Sequence, residues 1–214
     1  MTPPIVDVEL VTEAPVMAGG RVTAEGPGRL RLSVAAGALP GVYLDGINGL
    51  AVGEGWYTTT DAELISAALE DSFVLRTHLG WRPFERQGFF FAAGYGVVTL
   101  GGGLTGEEVL EAVLDMDFGL GGEVAWEAAA TLHMLDTAVG WEFVVARHLV
   151  VKVELGSTFT LAADTRVEPE EWPTNPLLES FAEGVSDEAE DWLTTELETY
   201  VHTPTVGLGV GWRF

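Results

Sequence analysis

Thr203-Pro204-Thr205-Val206-Gly207-Leu208-Gly209-Val210-Gly211-Trp212-Arg213-Phe214 ends the chain in strict two-residue alternation. One face carries Val206, Leu208, Val210, Trp212 and Phe214. The other carries Thr203, Thr205, Gly207, Gly209, Gly211 and Arg213. A period of two belongs to a β-strand with one apolar face. The opposite face is unusual in being almost without bulk. A solvated face has no reason to be built from glycine, whereas the crowded interior of a narrow barrel has one.

The same alternation recurs towards the N-terminus. Segment 148–161 sets Leu149, Val151, Val153, Leu155, Phe159 and Leu161 against Lys152, Glu154, Gly156, Thr158 and Thr160. Segment 131–143 sets Val139, Trp141 and Phe143 against Asp136, Ala138, Gly140 and Glu142. Segment 88–99 sets Phe89, Phe91, Tyr95 and Val97 against Ala92, Gly94 and Gly96. Segment 72–83 opposes Phe73, Leu75, Leu79 and Trp81 to Arg76, His78, Gly80 and Arg82. Segments 29–38, 16–25 and 5–12 follow the rule with Arg31, Ser33 and Gly37, with Gly19, Arg21, Thr23 and Glu25, and with Asp7 and Glu9 on the polar face. Eight segments of this length suit tilted strands crossing a bilayer.

Composition agrees with an apolar exterior. The 214 residues are 47% apolar yet carry a formal charge of −23, and the mean hydropathy is positive. No run of eighteen apolar residues exists, so spanning by a helix is excluded and a closed barrel is the remaining way to cross lipid. Aromatic residues on the apolar face (Trp81, Phe89, Trp141, Phe143, Trp212, Phe214) gather near one end of the strands, as an interfacial girdle does. Short connections at 26–28, 84–87 and 144–147 alternate with long ones at 39–71, 100–130 and 162–199. The sequence thus predicts a single domain over 1–214: an eight-stranded antiparallel up-and-down transmembrane β-barrel, with short helices in long, acidic outer loops that form a cap.

With its closing Gly209-Val210-Gly211-Trp212-Arg213-Phe214, and with Leu79-Gly80-Trp81-Arg82-Pro83 leading into Phe89-Phe90-Phe91-Ala92-Ala93-Gly94-Tyr95-Gly96, the chain resembles the small bacterial outer-membrane β-barrel proteins of the eight-stranded class. The resemblance implies that Phe214 is the signal read by the barrel assembly machinery, that outer-membrane lipid surrounds the chain, and that termini and short turns are periplasmic with long loops extracellular. Met1-Thr2-Pro3-Pro4 has neither a basic nor an apolar leader region, so a leader is expected to have been replaced by Met1.

Charge sorting follows from the alternation. Asp7, Glu9, Glu25, Asp136, Glu142 and Glu154 face inward, as do Arg21, Arg31, Arg76, Arg82, Lys152 and Arg213: six acids against six bases. Charges in a low-dielectric tube must be paired, so these twelve residues are expected to form an ion-pair network that plugs the lumen. Of 33 acids, 26 fall in the outer connections when Glu13 is counted there. With one lysine and nine arginines, the chain offers no basic patch for nucleic acid.

The loops carry helix signals. Thr60-Asp61-Ala62-Glu63 and Thr105-Gly106-Glu107-Glu108 fit the capping box. Asn175-Pro176 reads as a helix start, Gly184 as its end, and a last helix follows over 186–198. Their apolar stripes converge on a candidate hydrophobic cap site of Leu64, Leu69, Leu110, Leu114, Phe181 and Trp192, while Tyr43, Leu44, Ile47 and Leu50 supply a short lid element.

Chemistry is sparse. No cysteine is present. His78 points into the lumen, His133 and Asp136 lie on opposite strand faces, His148 is beside a turn and His202 is near the outer rim. No catalytic residue is assigned, no metal site, and no cofactor beyond a weak expectation of Ca²⁺ at Asp187, Glu188, Glu190 and Asp191 or at Glu168, Glu170 and Glu171. The expected function is non-enzymatic: a monomeric barrel anchoring an acidic cap for envelope or surface interaction, its extracellular partner unidentified. The alternative is binding or transport of a small hydrophobic molecule under the cap. An outer-membrane hydrolase ranks third.

Overall fold

The computed structural model describes residues 5–54, 72–84, 87–105, 125–169, 175–200 and 202–214. Eight antiparallel strands close on themselves in chain order. They are β1 (Ile5–Ala14), β2 (Met17–Glu25), β3 (Leu30–Ala38), β4 (Phe73–Trp81), β5 (Phe89–Thr105), β6 (Ala125–Val145), β7 (Leu149–Pro169) and β8 (His202–Arg213). Helix α1 (Gly41–Glu54) follows β3, and α2 (Pro176–Tyr200) stands between β7 and β8. The barrel closes where β1 meets β8, with Asp7 opposite Arg213 and Ala14 opposite Val206. Closure leaves no edge within the ring, so ladder N–H and C=O groups find strand partners there.

The barrel is inside-out relative to a soluble one. Leu10, Leu79, Trp81, Val153, Leu155, Val206, Val210 and Trp212 point outward and are exposed, while Asp7, Glu9, Arg21, Asp136 and Lys152 are buried inside. An exterior of aliphatic and aromatic side chains on every strand would not persist against water; its solvent is lipid, and the barrel is transmembrane. At the end holding both termini the aromatic residues touch one another. Phe89 contacts Phe84, Phe91 and Trp141, with ring centroids 6.3, 4.7 and 4.8 Å apart. No helix among the described residues is long and apolar enough to cross a membrane.

Three predicted boundaries need correction. First, the outer connections 100–130 and 162–199 are partly strand: β5, β6 and β7 run on to Thr105, from Ala125 and to Pro169. They rise past β8, whose pairing with β7 ends at Phe159 opposite His202. Second, α2 is one helix of 25 residues, not two parted at Gly184. Ala182, Val185 and Ala189 pack on Ala128 and Val167, and that burial outweighs a cost of roughly 1 kcal/mol for glycine inside a helix. Third, β1 continues to Ala14, so Glu13 belongs to the barrel rather than to an outer loop. The expected helices over 60–69 and 106–114 lie outside the described residues.

Beyond Phe159, strand β7 has a side that β8 no longer covers, and α2 takes it over. The amide of Ala163 donates to Glu198 Oε1 at 3.2 Å and that of Val167 to Glu190 Oε1 at 2.9 Å. Thr165 Oγ1 meets Thr194 Oγ1 at 2.6 Å. Carboxylates on a helix thus satisfy strand amides that would otherwise invite a foreign strand.

Candidate functional site in the barrel interior

The strand pleat brings all twelve predicted inward charges into the lumen, where with Glu13 they form one connected network. Nearest the termini, Arg213 grips Asp7 with two parallel bonds of 2.8 Å and reaches Glu142 at 2.5 Å. Two parallel bonds fix direction as well as distance. Glu142 gathers three more cations: Arg31 at 2.7 Å, Arg82 at 3.3 Å and Lys152 at 3.5 Å. Arg82 also holds Glu25 at 2.5 Å, and the Arg31 guanidinium lies 4.4 Å above the Phe90 ring.

A middle layer centres on Arg21, which reaches Glu9 at 2.8 Å and Glu154 at 2.5 Å. Lys152 ties that layer to the first through Glu9 at 2.7 Å and Asp7 at 3.5 Å. Farther outward, Arg76 bonds Asp136 at 2.8 Å and Thr158 at 3.0 Å, and pairs with Glu13. His78 Nε2 lies 3.4 Å from Asp136.

Glu13 is a member that the predicted network lacked. It bridges Arg76 and Arg21, the latter at 3.4 Å. The signal for it is present, since residue 13 shares the parity of Asp7 and Glu9; ending the strand at 12 before Pro15 conceals it. Among the described residues the lumen therefore holds seven acids against six Arg and Lys side chains, with His78 beside Asp136 as a further partner.

Glycine makes the room. A β-carbon on Gly209 would stand 3.1 Å from Arg21 Nη2, and one on Gly96 would stand 3.2 Å from both Arg76 Cγ and Asp136 Oδ2. A β-carbon on Gly211 would come within 2.6 Å of Glu9 Cγ. The small face of β8 leaves room for Arg21 and for the carboxylate side chains of Glu9, Glu13 and Glu154. A cavity of about 30 Å³ opens within the network beside Arg21, Arg31, Lys152 and Glu154. By that measure it is room for about two or three water molecules among the charged groups.

Above the charges the interior changes character, which the alternating pattern does not reveal. Met17, Val74, Val98, Leu100, Leu132, Met134 and Ala163 form a continuous buried apolar cluster, with Leu197 of α2 packed against it. Among the described residues, ion pairs line the lower interior and aliphatic side chains the upper.

Of the predicted cap site, Leu64, Leu69, Leu110 and Leu114 lie outside the described residues, as does the Phe181 side chain. Trp192 lies on α2 and is 44% exposed. Of the expected Ca²⁺ ligands, Glu190 is engaged by the Val167 amide and Glu168 by Arg166 at 2.8 Å. Asp187, Glu188 and Asp191 are exposed, and Glu170 and Glu171 lie outside the described residues. Among the described residues no group of three or more acidic, histidine or cysteine side chains is arranged to hold a metal.

No protein-family model matches the chain, and no curated protein sequence matches it. Among solved structures it is similar to a major outer membrane protein from Thermus thermophilus, with 19% identity, 99% and 100% of the two chains covered and a TM-score of 0.49. It is also similar to the N-terminal β-barrel domain of Pseudomonas aeruginosa OprF, with 9% identity, 98% and 97% coverage and a TM-score of 0.48. Acinetobacter baumannii CarO follows with 10% identity, 99% and 98% coverage and a TM-score of 0.40. The assignment of the fold rests on this chain's own strand pairing.

Proposed function

We propose that the chain is a monomeric, non-enzymatic barrel of the bacterial outer membrane, whose closed lumen makes it a rigid anchor for an acidic extracellular surface engaged in envelope or surface interactions. The observation that supports this reading most directly is the layered interior: a connected ion-pair network beneath an apolar layer. A barrel built to conduct keeps a polar, hydrated lumen. This one devotes its inward positions to mutual neutralisation and packing.

The lengths of the connections support one orientation. The termini and the turns at 26–29, 82–88 and 146–148 would face the periplasm, and α1, α2 and the tall β5–β6–β7 extension would face outward. The exposed acids of α2, among them Glu179, Glu183, Asp187, Glu188 and Asp191, would then give the outer surface a field that repels anions and draws cations and basic partners. Phe214, whose amide bonds Val6 O at 2.9 Å, would present the C-terminal aromatic to the assembly machinery.

Refolding into detergent micelles tests the reading. The folded protein is expected to migrate differently from the boiled protein on SDS gels and to insert into planar bilayers without stepwise conductance. A monomer that stays folded in detergent-free buffer defeats the membrane assignment, and stable single-channel steps defeat the closed lumen.

A further inference from the structure

The outward face carries a polar cluster that the lumen does not explain. Tyr95 of β5 bonds through its hydroxyl to His133 Nδ1, and His133 Nε2 lies 3.2 Å from Asp164 Oδ2 on β7. The phenol and imidazole rings are stacked with centroids 6.0 Å apart. A chain irregularity brings the three together. The β6–β7 register shifts between His133 and Met134, so that Met134 faces Thr160, His133 faces Ala162 and Leu161 is left between them. A bulge reverses which side chains point outward beyond it. Below the bulge Phe159 and Leu161 face out; above it Ala163 is buried and Asp164 faces out. Without the extra residue Asp164 would point into the lumen and His133 would lack its carboxylate.

The cluster stands at the outer edge of the apolar belt. Beneath it lie Leu135, Phe159 and Leu161, all exposed to lipid. Beyond it the outward row of β7 continues with Arg166 and Glu168. This is the depth at which lipid headgroups meet the wall.

The hydrogen bonding then selects the ligand. With Tyr95 donating to Nδ1 and Nε2–H donating to the Asp164 carboxylate, both imidazole nitrogens are occupied. What remains for an outside group is acceptor capacity: the Asp164 carboxylate, whose side chain is 80% exposed, the phenol oxygen and the faces of two stacked rings. A carboxylate beside aromatic faces is complementary to an ammonium group. The apolar wall below requires that ammonium to be carried by an acyl chain, and Arg166 on the same row, whose Nη2 is paired with Glu168 at 2.8 Å, keeps its other N–H groups for a phosphate.

We propose that Tyr95, His133 and Asp164 form a seat for an amine-bearing lipid headgroup, of the phosphoethanolamine type, at the outer rim of the barrel. The proposal rests on the membrane reading above. The test is native mass spectrometry of the whole chain released from vesicles of equimolar phosphatidylethanolamine and phosphatidylglycerol. Wild type is expected to retain the amine lipid in about two- to fivefold excess, the range an exposed ammonium–aromatic contact supplies. Asp164→Asn is expected to bring the ratio close to one, and Tyr95→Phe, which keeps the ring face but loses the hydroxyl bonded to His133, to lower it partway. Equal retention by wild type, or an unchanged preference in Asp164→Asn, overturns the proposal. So does displacement of the lipid by soluble phosphoethanolamine, which would make the site one for a free amine. Heat-modifiable migration of the same samples separates the two levels: a barrel that inserts without preference defeats only the headgroup seat, whereas a chain that fails to insert defeats the membrane reading itself.

Discussion

At the scale of single residues, Glu142 is the most heavily engaged group of the interior, touching Arg31, Arg82, Lys152 and Arg213 while buried. Neutralising it leaves four cations with one carboxylate fewer in a site where burial makes unpaired charge costly. Breaking a buried ion pair from one side costs about 3–5 kcal/mol. Glu142→Gln is therefore expected to lower the temperature at which the folded gel band disappears, with an isosteric side chain and no cavity to blame. An unchanged transition would mean that the pairs contribute no net stability. That Glu142 faces inward is legible from parity alone, because Trp141 and Phe143 flank it on the lipid side. How many partners it gathers is not, since Arg31 and Arg213 come from strands far away in the chain. Pairing across a closed ring is a property of register, which alternation leaves open.

The elements show where alternation stops being informative. It depends on one face meeting lipid and the other meeting a packed lumen, so it fades where β5, β6 and β7 leave the membrane. There the glycines at 101–103 read as loop, and a bulge at His133 breaks the phase. The length of α2 is hidden from the sequence for a related reason. Gly184 resembles a helix end by residue type, but the helix continues because Ala182, Val185 and Ala189 bury one stripe against Ala128 and Val167. Gly184 itself is exposed, and a β-carbon there would meet nothing within 4 Å. Gly184→Ala should consequently stabilise α2 by about 1 kcal/mol, the helix-propensity difference, with no packing penalty. Slower amide exchange over 176–200, at unchanged barrel stability, is the expected result. Faster exchange would show that the helix needs the freedom of glycine at its centre.

For the whole molecule the question is whether the ionic and apolar layers of the interior, which the proposed function takes to close the lumen, act independently. The ionic layer gives the lower interior its register: its guanidinium groups sit over small residues and between carboxylates of neighbouring strands, so a slipped strand would leave a charge unpaired. The apolar layer does something different. Met17, Val74, Val98, Leu132 and Met134 exclude water by packing, with Leu197 of α2 against them, and no charge has to be satisfied there. Arg76 lies at the boundary, bonded to Asp136 and Thr158 on one side of the lumen and to Glu13 on the other. Removing it opens space only in the lower layer, since Val74 and Val98 above it are held by their own strands. Arg76→Ala is thus expected to cost about 3–5 kcal/mol by leaving Glu13 and Asp136 short of a partner, and yet to leave planar bilayers silent. Adding Leu197→Ala, which thins the apolar layer from the outer side, should raise ion leakage above that of either single variant if the layers block in series. Conductance from Arg76→Ala alone, equal to that of the double variant, would instead show that the ion pairs are the only barrier and that α2 plays no part in closing the lumen.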